Sequence, residues 1–404
     1  MLIPFLLTCC SLCLSPLLLS AASSHVNSIP SDISKKGKPA TVKIALEKLT
    51  QDLFLDVKGK FLIYHPKTEM LIESGVYGKR GKVAMTRDGL RWGETLPGTF
   101  EMRIVPGDSE SSILVNGLQY KGALEIYSIG NQLSVINEVD IENYLKSTLA
   151  FEAAQVPEEL LDMVAIVART NLYYLARKNK DASWHLDAQK VHYTGMEGVQ
   201  KSKYVEAAID KTKHLIMTFN EEPFPAVWSQ DCAGKSASYS SVFRKGGTTP
   251  PGVDALPSAF HRAKNAWNFT IEKQKLAEIV GIDSITKIDL FNAEKSGKVY
   301  ALRCSNNEET KSIDFFTLQK ALGSNLLKSN DFTLKADESQ VVFSGYGQGV
   351  GVGLCLSSAE ILVKRRENPR KILKTFFPGV QLIFMHTLDS KGNAGEEKIS
   401  PVWQ

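Results

Sequence analysis

The feature that most restricts how this chain can fold is a run in which glycine occupies every second position, SGYGQGVGVG, residues 344–353. Glycine loses more chain entropy on folding than any other residue. Five glycines alternating with larger residues must therefore serve unusual backbone angles or the close approach of another group. That group is either a second segment of the protein or a bound ligand, and the run alone leaves both open.

The run does not match a nucleotide-binding loop. A dinucleotide fingerprint needs glycine at relative positions 1, 3 and 6, and in every register of the run the sixth position holds valine or leucine. The segment SQDCAGKS ends like a P-loop, but Ser229 stands where the first glycine belongs. We therefore expect no nucleotide partner.

Charge and composition exclude further classes. The 404 residues are 43% hydrophobic, which is enough for two or three packed domains, and no internal repeat is present. The 48 basic and 44 acidic residues give a net charge of +4. Because no strong positive field follows from this balance, we expect no nucleic-acid partner.

The first 22 residues are uncharged and end in Ser20-Ala21-Ala22, a pattern that signal peptidase cleaves. The apolar run before Pro16 is too short for a membrane span of about 20 residues. Residues 1–22 are predicted to be a signal peptide and residues 23–41 a polar linker. The mature chain is expected in the periplasm or cell envelope.

Hydrophobic periodicity divides the rest of the chain. Short apolar runs between turn residues, such as KFLIYH and QLSVINEV, predict strands, and helical spacing begins at Ile141. The predicted fold class is α+β. Its segments are a β-rich N-terminal region (42–137), a helical active-site core with a cysteine loop (138–270), an inserted small α+β lobe (271–338), a glycine-rich segment with closing helices (339–383) and a C-terminal tail (384–404).

Glu152 is the candidate acid. It lies in AFEAAQ, between two helices with apolar stripes, and no basic residue occurs between Lys146 and Arg169. A carboxyl that is partly desolvated and short of charge partners has a raised pKa and can deliver a proton near neutral pH. On periodicity alone, an exposed loop glutamate is the preferred interpretation of this residue.

Cysteine and histidine patterns predict neither a metal site nor a disulfide scaffold. Removal of the signal peptide leaves Cys232, Cys304 and Cys355, which allow at most one internal disulfide. His185 and His192 stand seven residues apart without a cysteine pair or a zinc-binding helix motif. We expect no metal and no other cofactor.

Four segments in order resemble the stage II sporulation protein D and amidase-enhancer family (SpoIID/LytB domain). Residues 138–178 carry a Glu-x-Tyr-Leu entry, a short loop with one glutamate and a helix with Ala-Arg-Thr. VWSQDCAGKSASYSSVF (227–243) is similar to the family's small-residue loop, the glycine run to its Gly-x-Gly-His-Gly-Val-Gly segment, and FFPGV (376–380) to its closing turn. The resemblance covers residues 42–383.

This resemblance implies an exported lytic transglycosylase that acts on peptidoglycan in cell division or a sporulation-like process. Glu152 would be its general acid and base, and Arg169 would orient or stabilise the site. The substrate would be peptide-stripped glycan strands, cut between N-acetylmuramic acid and N-acetylglucosamine to leave 1,6-anhydro ends. The alternative is a non-catalytic amidase enhancer that grips glycan and stimulates a partner hydrolase; a structural secreted protein is a third hypothesis.

The resemblance also implies binding residues. Those expected to contact glycan are Lys235, Tyr239, Tyr346, Gln348, Gly349 and Gly351. Close packing of two protein strands is the alternative role for the glycines. Gln348 stands where the family has histidine, and the segment with His185 and His192 lacks the cysteine zinc ligands of some relatives, so zinc is not expected.

A disulfide between Cys232 and Cys355 is a further expectation from the resemblance, because it places the two cysteines on facing loops of an exported protein. The alternative is a pair of small buried side chains, which is the usual behaviour of free cysteine.

Overall fold

The computed structural model describes residues 40–197 and 202–386. The predicted signal peptide, all but the last two residues of the linker, and the tail beyond residue 386 lie outside these ranges. Within them, no helix has the length and apolar character needed to cross a membrane.

The N-terminal region consists of strands with inward apolar residues at every second position, as in β3 and β9, where buried and half-buried residues alternate. Its strands are β1 (Thr41–Thr50), β2 (Asp52–Lys58), β3 (Phe61–Tyr64), β4 (Leu71–Gly75), β5 (Lys79–Thr86), β6 (Gly89–Trp92), β7 (Glu94–Thr95), β8 (Glu101–Pro106), β9 (Ser112–Val115), β10 (Leu118–Tyr120), β11 (Ala123–Ile129) and β12 (Gln132–Asp140), with β13 (Leu186–Asp187) added later in the chain.

These strands form two sheets around one core. One sheet has the order β13-β1-β12-β11-β8-β3-β4 and the other β10-β9-β2-β5-β6-β7. Phe61 of the first sheet contacts Trp92 of the second, with ring centroids 5.8 Å apart, and both belong to the same buried cluster. The longest pairing, β1 with β12, ends beside the first helix and so positions it.

Three helices and one strand follow as the second layer: α1 (Ile141–Glu152), α2 (Leu161–Lys178), α3 (Lys203–Lys211) and β14 (Leu215–Thr218). The Asp140 side chain caps α1 by accepting hydrogen bonds from the N–H groups of Glu142 and Asn143. A 3₁₀ turn at Glu158–Leu160 leads into α2, whose apolar stripe joins the core of the sheets.

The cysteine loop and the C-terminal helices complete this body. Their elements are β15 (Trp228–Ser229), α4 (Tyr239–Phe243), α5 (Leu256–Ala259), β22 (Leu354–Cys355), α8 (Leu356–Lys364), α9 (Pro369–Phe376) and β23 (Gln381–Phe384), with α6 and α7 lying in the lobe described next. β15 pairs with β22 in parallel and β14 pairs with β23 in antiparallel fashion.

The inserted lobe has its own hydrophobic core. Its elements are β16 (Ala266–Glu272), α6 (Lys273–Val280), β17 (Lys287–Asn292), β18 (Val299–Ser305), β19 (Thr310–Asp314), α7 (Phe315–Leu322), β20 (Phe332–Ala336) and β21 (Gln340–Tyr346). Because β16 pairs with β21 along its whole length, the lobe is wider than the predicted 271–338. The mixture of sheets and helices confirms the predicted α+β class.

Candidate active site

Glu152 is the last residue of α1. Ala153 caps the end of the helix. The chain then turns, with the Val156 N–H donating to the Ala153 carbonyl, before the 3₁₀ turn that precedes α2. Its neighbour Phe151 is 45% exposed. The predicted junction between two helices is therefore present, and the Glu152 carboxyl lies where α1 ends and the connection begins.

The Glu152 carboxyl has no partner in the part of the chain that the structure describes. The residue is partly exposed, and among the described residues nothing hydrogen-bonds to it or forms an ion pair with it. Burial raises its pKa from 4.5 to about 7, with no contribution from a neighbouring charge. Because desolvation disfavours the ionised form, the group exchanges its proton near neutral pH. These properties are what an acid catalyst needs.

Elements beside Glu152 pack against elements beside the glycine run. The 3₁₀ turn at Glu158–Leu160 contacts α8, which begins directly after the run and Cys355. Leu160 and Leu356 are fully buried in the same hydrophobic core. The acid and the glycine segment therefore lie in one packed body, although no hydrogen bond joins the Glu152 carboxyl to that segment.

The cysteine loop and the glycine run are held together by backbone hydrogen bonds. Asp231 and Gln348 exchange two of them, at 3.0 and 2.9 Å, and the Ala237 N–H donates to the Gly351 carbonyl at 2.8 Å. The resemblance expected these two loops to face each other, and the structure brings them together along their length.

The glycines are explained by close packing within the protein. A Cβ on Gly353 would lie 2.0 Å from the Val227 carbonyl oxygen, and one on Gly351 would lie 2.6 Å from Cε of Lys298. Both residues have positive φ angles, which only glycine adopts without strain. The alternative of two protein segments in close contact therefore accounts for the run.

The predicted contacts of Gly349 and Gly351 with glycan are contradicted by burial. All five glycines of the run are buried, so their backbones are not presented at the surface. Gly349 donates its N–H to the Lys328 carbonyl, inside the protein. Sequence alone could not decide this because a strand with alternating glycines looks the same beside a ligand or beside protein.

Cys232 and Cys355 are free, buried thiols and not the predicted disulfide. The Cys232 N–H donates to Sγ of Cys355 at 3.3 Å, and both sulfurs lie within 3.8 Å of the Ser258 hydroxyl oxygen. Hydrogen bonding to Cys355 and burial together raise the pKa of the Cys232 thiol. The two cysteines act here as small buried side chains.

Arg169 is not placed to touch a substrate, which corrects its predicted role. Its side chain is completely buried, and Nε and Nη2 bind both carboxylate oxygens of Glu142 at 2.8 Å. The remaining N–H groups donate to the Thr212 hydroxyl and to the carbonyls of Ile209 and Leu215. Because all five donors are used internally, Arg169 is a structural clamp.

The motif residues that carry the family resemblance brace the fold. Glu142 comes from the Glu-x-Tyr-Leu entry and Arg169 from Ala-Arg-Thr, so the two motifs meet through one buried ion pair. Thr170 adds a link by accepting a hydrogen bond from the Met217 N–H of β14. Sequence reasoning missed this pairing. The opposite charges of the two motif residues were a signal for it.

Lys298 is a second residue that sequence reasoning missed. It extends from the inserted lobe, is 1% exposed, and donates to the Cys232 carbonyl at 2.7 Å while pairing with Asp331 at 2.7 Å. Asp331 also pairs with Arg262, and these bonds lower its carboxyl pKa against the effect of burial. Lys298 thus links the lobe to the cysteine loop. No motif in the sequence around Lys298 or Asp331 indicates this contact.

The other predicted binding residues lie around these loops. Lys235 is exposed and pairs with Asp254 at 3.6 Å, and Tyr239 begins α4 and stacks on Phe243 at 4.1 Å. The last two predicted binding residues belong to the glycine run. Tyr346 is 37% exposed and lies beneath the Arg262 guanidinium, 4.2 Å from it. Gln348 is half-buried. None of them hydrogen-bonds to the Glu152 carboxyl.

The histidines do not fit a zinc site of the kind found in some relatives. His185 is buried, its Nδ1 accepts the Lys43 N–H, and burial followed by the nearby Lys43 charge lowers its pKa to about 4. His192 is exposed and contacts the Phe151 ring. Across residues 40–197 and 202–386, no group of three or more histidine, cysteine or acidic side chains could hold a metal.

Comparison with known proteins agrees with this picture. Residues 129–219 match the family described as "Stage II sporulation protein", SpoIID. An uncharacterized protein of Brachyspira hyodysenteriae is 26% identical over 85% of this chain and 92% of its own. Uncharacterized proteins of Chlamydia pneumoniae and Chlamydia muridarum are 35% and 34% identical over 44% of this chain, which matches 65% and 62% of their lengths.

These matches indicate the class of protein to which the chain belongs. The class is an α+β protein with a cell-wall-related function, because the SpoIID family is associated with peptidoglycan modification. Residues 129–219, which contain both Glu152 and Arg169, match the SpoIID family, and the resemblance drawn from the sequence is confirmed over this range.

Proposed function

We propose that this protein is a lytic transglycosylase that cuts peptidoglycan glycan strands, with Glu152 as its single acid and base. The observation that carries the proposal is a partly exposed carboxyl at the end of α1, within the SpoIID match, that has no partner among the described residues. Burial raises its pKa to about 7, so a large fraction of the molecules hold the proton at neutral pH.

In the first step Glu152 donates its proton to the oxygen that links N-acetylmuramic acid to N-acetylglucosamine. The bond from that oxygen to the anomeric carbon of the muramic sugar breaks, and the oxygen leaves as a hydroxyl on N-acetylglucosamine. A carboxyl with an ordinary pKa would be ionised at pH 7 and unable to do this.

In the second step the Glu152 carboxylate takes the proton of the C6 hydroxyl on the same muramic sugar. The C6 oxygen bonds to the anomeric carbon and closes a 1,6-anhydro ring. The proton lost in the first step is thereby regained, and no water is consumed. One carboxyl suffices here, whereas hydrolytic glycosidases use two.

The proposal includes the place where the protein acts. Residues 1–22 have the composition of a signal peptide, which supports export to the compartment where peptidoglycan lies.

Digestion of defined glycan strands tests the proposed function. Purified mature protein is incubated with peptide-free strands, and the products are analysed by mass spectrometry. We expect 1,6-anhydro-muramic ends, which are lighter than hydrolysed ends by one water. Strands that stay intact while the protein stimulates a cell-wall amidase would contradict the enzyme and support the enhancer alternative; reducing ends without the anhydro ring would indicate a hydrolase.

A further inference from the structure

A cavity of about 320 Å³ lies between the N-terminal sheets and the chain that follows β13. Its walls come from β1, β9 and β10 on one side and from residues 188–194 on the other. The lining includes Glu47, Val115, Leu118, Tyr120, Gln189, His192 and Tyr193. Nothing in the proposed reaction has yet used this cavity.

Two tyrosines give the cavity an aromatic wall with one free hydroxyl. The rings of Tyr120 and Tyr193 lie 5.8 Å apart, and the Tyr193 hydroxyl is held by the Asn137 side chain at 2.7 Å. Tyr120 is only 7% exposed, yet its hydroxyl has no hydrogen-bond partner among the described residues. A hydroxyl on the cavity wall without a protein partner is available to donate a hydrogen bond to a ligand or to accept one from it.

Other groups of the lining combine apolar surface with hydrogen-bonding atoms. Leu118 is 38% exposed, and Gln189 is also exposed, with both an amide donor and an amide acceptor in its side chain. Binding sites are usually built from apolar and aromatic walls with a few polar groups that fix orientation. A sugar ring matches this wall, because its faces carry C–H groups and its rim carries hydroxyls.

The charge of the cavity selects the kind of sugar. Glu47 belongs to the lining and forms no ion pair with any described residue, while no lysine or arginine lines the cavity. Burial and then the charges of Glu47 and Glu197 raise the pKa of Tyr120 to about 12, so both carboxylates act on this space. An anionic ligand would be repelled here.

The cavity is connected to the candidate acid by one pair of rings. His192 belongs to the lining, and its ring centroid lies 5.1 Å from that of Phe151. Phe151 is exposed and directly precedes Glu152 in the chain. A ligand that fills the cavity therefore lies one ring contact away from the residue that precedes the acid.

We propose that this cavity is a subsite for an uncharged N-acetylhexosamine unit of the glycan strand, bound beside the linkage on which Glu152 acts. The inference rests on the proposed function. In a peptide-free strand the muramic sugars carry a carboxylate and the N-acetylglucosamine sugars carry none. The negative cavity therefore takes N-acetylglucosamine, which fixes the register of the strand relative to the acid.

The test uses the trimer of N-acetylglucosamine as the probe and methyl-labelled full-length mature protein. We expect shifts in the NMR signals of the Leu118 and Val115 methyl groups on titration. Tyr120→Phe removes only the free hydroxyl and should weaken binding about five-fold, the size of one neutral hydrogen bond. The control Tyr77→Phe, at a 95% exposed tyrosine outside the cavity, should leave affinity unchanged.

A second comparison tests the charge selection. A muramic sugar with a free carboxylate should bind more weakly than the trimer, and Glu47→Gln should reduce that difference. The inference is overturned if the trimer shifts no cavity methyl group, or if Tyr120→Phe and Tyr77→Phe bind it equally. Glycan cleavage that depends on Glu152 without binding in the cavity would overturn the subsite alone, whereas binding in the cavity without cleavage would overturn the proposed reaction alone.

Discussion

Replacing Glu152 with glutamine should reduce the rate of 1,6-anhydro product formation by about 10²–10⁴-fold, the usual contribution of a general acid or base. Glutamine keeps the size of the side chain but cannot give up or regain a proton. The Michaelis constant should change little, because the substitution removes an interaction of the transition state. Initial rates on peptide-free strands, followed by mass spectrometry, measure both quantities.

The same variant should be more stable than the wild type at alkaline pH. The Glu152 carboxyl has a pKa of about 7 in the folded protein and 4.5 as the ordinary value, so ionisation is disfavoured by folding. The two proteins should therefore match below about pH 4, diverge between the two pKa values, and differ above pH 7 by up to about 3 kcal/mol in favour of the glutamine variant.

The control is Glu158→Gln, in the 3₁₀ turn that follows, where the glutamate is exposed. This substitution should leave the rate of product formation unchanged. If Glu152→Gln retained activity near that of Glu158→Gln, Glu152 would not be the acid. A lost activity together with lost stability at pH 8 would instead indicate a structural role.

Replacing Arg169 with leucine should destabilise the protein by about 3–5 kcal/mol, because it leaves the buried Glu142 carboxylate without its partner. Urea unfolding of the purified variants measures this effect. Arg169→Lys keeps the charge but loses the two parallel hydrogen bonds, so its stability should lie between those of the wild type and the leucine variant.

The matched control is Arg303→Leu, which removes an exposed arginine that lies 3.4 Å from Asp289. Exposed ion pairs contribute about 0–1 kcal/mol, so this variant should unfold nearly like the wild type. Activity per folded molecule should persist in Arg169→Lys. A stable Arg169→Leu protein with no activity would contradict the clamp and restore the catalytic role that the resemblance implied.

Local patterns predicted the elements that depend on local chemistry. Helical spacing from Ile141 located α1, and Pro157 with the acidic residues after it located the start of the following helical segment. The lack of basic residues near Glu152 in the sequence was also predictable, because it can be read directly from the neighbouring residues. Its raised pKa comes from burial, which depends on how the rest of the fold packs around it.

Contacts between distant segments were not predictable in the same way. Lys298 reaches the Cys232 carbonyl across a sequence separation of 66 residues, and no motif marks either residue as a partner. The family resemblance implied that Arg169 orients or stabilises the site, and only the structure shows that Glu142 is its partner. The glycine run needed the positions of Val227 and Lys298 before its purpose could be stated.

Direct titration of the Glu152 carboxyl tests the central claim most closely. Protein labelled with ¹³C at glutamate carboxyls is followed by NMR from pH 3 to pH 9, and the Glu152 signal is assigned by its absence in Glu152→Gln. We expect a midpoint of about pH 7. A midpoint near 4.5, the ordinary value, would show a fully ionised side chain at neutral pH and would contradict an acid that protonates a glycosidic oxygen.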